Sequence, residues 1–267
     1  MKRNPVVAGK FYPQTEASLK KILSSLIDID SEKQDIKGVI LPHAGYVYSG
    51  QVAGATISKI EIKKTAVILG TNHTGLGSPF SIMTKGSWLT PLGEAKVDSE
   101  IAVSMLKSGG LLKDDSAAHT YEHSIEVVVP FLQYIRSDIK IVPIIISNAD
   151  IKKYQQLGND IAEGFKKVGR SAVFIASTDF THYESRESAE KKDRLAIDAI
   201  LSLDDERLFK VVKEGNISMC GSAPTCVLIS VCKNLGAGHA GLVKYQTSGD
   251  ITNDYSSVVG YAGMVIW

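Results

Sequence analysis

Three of the six histidines stand just after short apolar runs of the kind that form buried strands. His43 follows Gly38–Leu41 (GVIL), His73 follows Thr65–Leu69 (TAVIL), and His182 follows Ser171–Ala176 (SAVFIA) within a few residues. Imidazole is the commonest protein metal ligand and the usual proton carrier near neutral pH. A single loop histidine is most often structural. Three at the same edge of one predicted sheet point to a site, because open α/β sheets bind ligands beyond the carboxyl ends of their strands. Gly45 and Gly50 flank His43, and Gly70 and Gly75 flank His73. Such glycines allow close backbone approach to a ligand, although turn formation alone accounts for them equally well.

Cys220 lies in Met219–Cys220–Gly221–Ser222–Ala223–Pro224, directly ahead of a predicted helix. Free N–H groups there favour an anion and are expected to lower the thiol's pKa. Taken alone, Cys220 reads equally well as a soft metal ligand and as a buried thiol. Cys226 and Cys232 fall in the apolar stretch of the same helix and read as small core residues. Asp179 and His182 form a D-x-x-H pair, in which the carboxylate either orients the imidazole or caps a turn. Glu122, His123 and Glu126 sit near the start of another predicted helix, His123 and Glu126 as i, i+3 neighbours. Carboxylates favour a helix N-terminus in any case, so both glutamates read as structural. His119 and His239 carry no pattern and receive no role.

The elements that must position these residues alternate between strand and helix. A first helix carries Leu19, Ile22, Leu23 and Leu26 on one stripe, with Thr15 as its cap. After the GVIL strand the pattern predicts a helix from Gln51 to Ile60, and after TAVIL a hairpin or irregular excursion over 80–97. Asp98 is expected to cap a helix to about Lys107, stopped by Gly109–Gly110. Thr120 is expected to open one reaching about Ile135. Ile139–Ile146 (IKIVPIII) reads as a strand whose Pro143 implies an edge or an irregular position. Asp150 opens a long helix before SAVFIA. Helices over 186–202 and 204–214, a helix from Ser222 with Pro224 in its first turn, and strands over 241–248 and 258–266 complete the chain. Continuous β-branched runs between helices predict an α/β fold, one domain over residues 1–267, with a mostly parallel central sheet covered on both faces.

Hydrophobic residues make up 44% of the chain and charged residues 22%, ordinary globular usage that leaves no segment reading as disordered. A formal net charge of +1 gives no electrostatic drive toward nucleic acid or acidic membranes. The longest apolar runs are far too short to cross a bilayer, and Asn4–Pro5 stands where a signal peptide would turn apolar. A cytoplasmic location is therefore expected. Three cysteines spaced six apart contain no CxxC pair, which disfavours a zinc ribbon, a thioredoxin-type motif and a disulfide framework.

Six segments occur in a characteristic order: PHAGYVYSG (Pro42–Gly50), LGTNHTG (Leu69–Gly75), EHSIEV (Glu122–Val127), STDFTHY (Ser177–Tyr183), CGSAP (Cys220–Pro224) and SGDI (Ser248–Ile251). From Val6 to its end the chain resembles the Memo family, also called AmmeMemoRadiSam system protein B. The resemblance implies the fold of the class III extradiol dioxygenases. It implies a metal bound by two histidines and a cysteine, here His43, His73 and Cys220, with iron or copper as the ion and zinc as an alternative. It places His182 at the dioxygenases' catalytic histidine, with Asp179 as the acidic residue of the same motif. It implies redox chemistry, a radical-SAM protein and other members of a three-protein system as partners, and, in animal relatives, recognition of phosphotyrosine peptides. Cys220 stands where those dioxygenases have a carboxylate. A thiolate shifts metal preference toward softer ions and can itself be oxidised, which tells against ring cleavage.

Three readings follow. In the first, a metal-dependent oxidoreductase uses His182 as general acid or base, oriented by Asp179. In the second, a binding module on an enzyme-derived fold recognises a peptide or partner through Tyr46, Tyr48, Trp88, Tyr121 and Tyr183. The third is a zinc hydrolase, since two histidines and a cysteine plus water form a known catalytic zinc set.

Overall fold

The computed structural model describes all 267 residues. In chain order its strands are β1 (Lys2–Arg3), β2 (Gly38–Leu41), β3 (Thr65–Thr71), β4 (Phe80–Ile82), β5 (Ser87–Thr90), β6 (Gly93–Val97), β7 (Lys113–Asp114), β8 (Lys140–Ile146), β9 (Val173–Ser177), β10 (His182–Glu184), β11 (Ala240–Thr247) and β12 (Val258–Ile266). Its helices are α1 (Glu16–Leu26), α2 (Tyr46–Ile57), α3 (Ser99–Ser108), α4 (Val129–Ile135), α5 (Ile151–Val168), α6 (Arg186–Leu201), α7 (Asp205–Glu214), α8 (Ser222–Asn234) and the short α9 (Gly249–Thr252).

All twelve strands join one mixed sheet. Its centre is the parallel run β8-β3-β9-β2, with β12 antiparallel to β2. Val39–Leu41, Ala66–Leu69, Ile141, Val142 and Val173–Ala176 are completely buried, so both faces of these strands are covered, as their unbroken apolar runs predict. Helix α8 lies against β9, β3 and β2, and packs with α5 and α7; α2 lies against β11 and β12, with α1 and α4 beside it. Because β9 separates β2 from β3, the chain crosses over β9 between the GVIL and TAVIL strands. Adjacent strands are about 4.8 Å apart, so the loops after β2, β3 and β9 leave the sheet side by side.

The expected α/β domain is present, and most helix starts are where the caps place them. Thr15 Oγ1 accepts from Ser18 N–H at 3.4 Å, and the Asp150 side chain accepts from Lys153 N–H at 3.0 Å. The 80–97 excursion contains the β5–β6 antiparallel hairpin. Several expectations need correction. Helix α2 starts at Tyr46, five residues before Gln51, because Tyr46 N–H is already satisfied by Phe11 O at 2.7 Å. Asp98 precedes α3 but makes no cap; Thr65 Oγ1 and Arg170 Nη2 donate to its carboxylate at 2.7 and 2.8 Å. Strand β8 is internal rather than an edge. Pro143 is tolerated because one flank of β8 is divided: β6 pairs with Lys140 and Ile141, β4 with Ile144–Ile146, and the missing N–H falls between them. The predicted helix from Thr120 survives only as α4, with Pro130 in its first turn. Residues 120–128 are irregular because Glu122, Ser124 and Glu126 spend their side chains on partners outside any helix. Glu122 Oε1 accepts from Ser124 N–H at 2.8 Å, a local bond that competes with the helical ladder.

Candidate metal centre

His43 leaves β2 through Pro42 and is buried. Its Nδ1 lies 2.9 Å from Ser177 Oγ at the end of β9. That hydroxyl donates its one proton to Ser124 O at 2.6 Å, so it must accept from His43 Nδ1–H. The lone pair of His43 is thereby fixed on Nε2. His73, beyond β3, is held in the same manner by Glu122: its backbone N–H donates to Oε2 at 2.7 Å and its Nδ1–H to Oε1 at 2.9 Å. A carboxylate can only accept, so His73 Nε2 also carries a free lone pair. Carboxylate and hydroxyl partners of this kind set the tautomer and aim of metal-binding imidazoles.

The third member is His123. One ligand atom each from His43, His73 and His123 lie within 4.8 Å of one another. The His73 and His123 rings stack at 4.7 Å and 25°, and both present edges to His43 at 5.2 and 5.4 Å. Phe11 packs edge-on against His123 at 5.1 Å. Gly70 admits this segment to the end of β3: a Cβ there would lie 2.6 Å from both Ile125 Cγ1 and Ser124 Oγ.

Cys220 is adjacent to the centre but outside that triangle. Its Sγ lies 3.3 Å from His43 Nε2 and accepts from Asp179 N–H at 3.3 Å. Gly221 lets the turn before α8 press against the end of β9, since a Cβ would strike Thr178 and the Ser177 carbonyl. Contrary to the expectation from the helix terminus, the thiol pKa is pushed up: burial raises it most, the nearby Asp179 charge adds to this, and the Asp179 N–H offsets only part.

Asp179 is buried and does not orient His182. Its Oδ1 accepts from the backbone N–H of His43 at 2.9 Å and of Ala44 at 3.3 Å, fixing the turn that presents His43. Burial raises its pKa, against the pull of the His43 N–H and the His182 charge. His182 is aimed by Ser218 instead, Nδ1–H donating to Ser218 O at 2.9 Å and the backbone N–H to Ser218 Oγ at 2.7 Å.

Charges in the centre follow from burial. It holds the His43 pKa well below the usual imidazole range, helped by charge on His123 and His73. His123 is lowered as well, first by burial, with Glu122 opposing. Burial alone would raise Glu122, but the hydrogen bond and charge of His73, together with Ser124 N–H, bring it down to about 2. The glutamate read as a helix-terminus residue is thus the anchor of His73. Glu126, read likewise, accepts from Arg3 Nη1 at 2.6 Å, from Val6 and Val7 N–H, and from Tyr12 O–H at 2.7 Å.

Above the imidazoles opens a cavity of about 660 Å³ that includes His43, His73, His123, Asp179 and His182 in its wall. Tyr48 and Tyr183 line it; Tyr46 and Trp88 are core, and Tyr121 is exposed elsewhere. His123 and Glu122 escaped the sequence reading because a helix was expected there, although both lie within the EHSIEV segment.

A family profile described as Memo-like protein matches residues 3–265. The chain belongs to the Memo family. It is 42% identical to a MEMO1 family protein of Methanopyrus kandleri, over 99% of each chain, and 44% identical to one of Methanococcus maripaludis, over 100% of each. An uncharacterized Escherichia coli K12 protein has a similar fold, with a TM-score of 0.53 at 10% identity, covering 86% of this chain and 99% of its own. No helix of this Memo-family chain is long and apolar enough to cross a membrane. Its imidazole group has the donor chemistry to hold one metal ion.

Proposed function

We propose that the chain is a metal-dependent oxidoreductase whose ion is held by His43, His73 and His123. The observation that carries this reading is the convergence of three imidazoles, two of them with Nδ1 committed to protein partners and the lone pair on Nε2. Neutral imidazoles suit iron, copper and zinc, and the resemblance favours iron or copper. When bound, such an ion supplies Lewis acidity and, if iron or copper, access to electron transfer.

The protein's own groups perform the rest. Glu122 and Ser177 hold the tautomers, and the low pKa values of His43 and His123 keep both rings unprotonated at neutral pH. His182, at the cavity wall with Nδ1 tied to Ser218, has Nε2 available to carry a proton to or from a bound molecule. Asp179 is a positioning residue for the His43 turn. A radical-SAM protein as partner belongs to the same proposal and is supported by the resemblance.

A second reading is favoured by the 3.3 Å approach of Cys220 Sγ to His43 Nε2. There Cys220 replaces His123 as third ligand, and His123 serves as a proton carrier in the cavity. Elemental analysis of protein purified without oxygen separates the two. The first reading predicts that His43→Ala, His73→Ala and His123→Ala lose bound metal while Cys220→Ser keeps it; the second exchanges the last two results. Unchanged metal content in His43→Ala and His73→Ala contradicts both, and stoichiometric zinc with no iron or copper contradicts the redox assignment.

A further inference from the structure

A second cavity, of about 600 Å³, lies between the start of α5, helix α7 and the 217–222 segment. It does not share a wall residue with the imidazole cavity, yet Cys220 lines it, and so does Ser218, whose carbonyl aims His182. The 217–222 segment is thus the partition between the two spaces. Cys220 lines the second space while its Sγ lies 3.3 Å from His43 Nε2, so the residue spans the partition.

Polarity is graded across this second cavity. Tyr154, Ile217 and Met219 are buried, Phe209 and Val212 half-buried, and Lys213 exposed. No carboxylate lines it, and Lys213 is its only charged residue. No carboxylate is paired with Lys213, and none lies in the cavity wall beside it. The volume is in the usual range for small-molecule sites, about 300–1,000 Å³. The wall's apolar side chains, with Asn148, Ser218 and Ser222 at other points and one cation at Lys213, suit a molecule with a hydrocarbon or aromatic body and a single anionic head.

We infer that this cavity binds an amphipathic small-molecule carboxylate, its head at Lys213 and its apolar body against Met219 on the partition that carries Cys220. Lys213 and Val212 lie outside the imidazole cavity and the imidazole group, so variants at these two positions leave the candidate ligands in place.

Octanoate is the probe, with protein carrying ¹³C-methyl methionine. Of the five methionines only Met219 lines the cavity, and Met219→Leu assigns its resonance. Octanoate is expected to shift the Met219 methyl saturably and leave the other four in place. Lys213→Glu is expected to weaken octanoate at least tenfold while leaving octanol unchanged, and Val212→Trp to remove the shift by filling the space. Absence of a saturable Met219 shift, or equal octanoate affinity in Lys213→Glu, overturns the assignment. Lys213 is exposed, so its variant is expected to fold even if Val212→Trp does not. Metal content measured on the same samples stays at the parent level, so failure of this pocket and failure of the metal centre are told apart.

Discussion

The centre is built from two regions of opposite character. His43 and His73 stand at the ends of β2 and β3, where ladder hydrogen bonds on both sides fix the backbone before any side chain acts. His123 stands in an irregular stretch, residues 120–128, with no ladder at all. That stretch is held by side chains: Glu122 to His73, Ser124 to the Thr71 carbonyl, and Glu126 to the N-terminal segment. Regular structure positions two of the three imidazoles through the sheet; polar bonds to buried carboxylates position the third.

If that contrast is right, the irregular half fails first when its carboxylates are altered. The largest effect is expected for Glu126→Ala. It leaves the Arg3 guanidinium, stacked 4.1 Å over Trp88, buried without its carboxylate. Breaking such a buried pair costs roughly 3–5 kcal/mol. Denaturant unfolding checks this, and a loss below about 1 kcal/mol, typical of an exposed ion pair, would show that the N-terminal segment does not brace residues 120–128.

Glu122→Gln sharpens the comparison at the ligand. It keeps the shape but weakens the hold on His73, and loss of such partners typically lowers metal affinity about 10- to 100-fold. Competition with a chromophoric chelator measures this. Unchanged affinity would mean that the backbone of β3 alone aims His73.

His119 tests the irregular region by pH. It is fully buried, neither ring nitrogen has a partner, and burial first, then the Arg3 charge, lowers its pKa to about 4. The unfolded chain binds a proton near pH 6.5 and the folded one only near 4. Stability present above 6.5 is therefore lost as pH falls toward 4, about 2 kcal/mol of it by pH 5. His119→Phe is expected to flatten the slope of unfolding free energy between pH 7.5 and 5 relative to the parent; an equal slope removes His119 as its source. The smallest effect belongs to regular structure outside the wall of the imidazole cavity. Asp150→Ala, losing the cap on Lys153 N–H, is expected to cost about 1 kcal/mol with metal content unchanged.

The same division explains what the sequence revealed. Strand-end histidines are visible because unbroken β-branched runs mark the strands and ligands gather at their carboxyl ends; His43, His73, Asp179 and His182 all reach the cavity wall this way. Tertiary partners decide the rest. Nothing local to Glu122 says that it turns to His73 instead of capping a helix, and the i, i+3 spacing of His123 and Glu126 suggested a helical face that never forms. Cys220 precedes α8 as expected, but desolvation first, and then the Asp179 charge, outweigh the helix terminus and raise its pKa. Asp179 and His182, three residues apart, have different partners, Asp179 the His43 backbone N–H and His182 the Ser218 carbonyl.

The central claim is that His43 and His73 share one ion through Nε2. An anomalous difference map on crystals of anaerobically purified protein, collected at the absorption edge of the metal found by elemental analysis, tests it directly. The account predicts a single peak at about 2.0–2.1 Å from both Nε2 atoms, the length of a zinc–imidazole bond. A map without a peak between those two rings, or with the ion bound elsewhere on the chain, would contradict it.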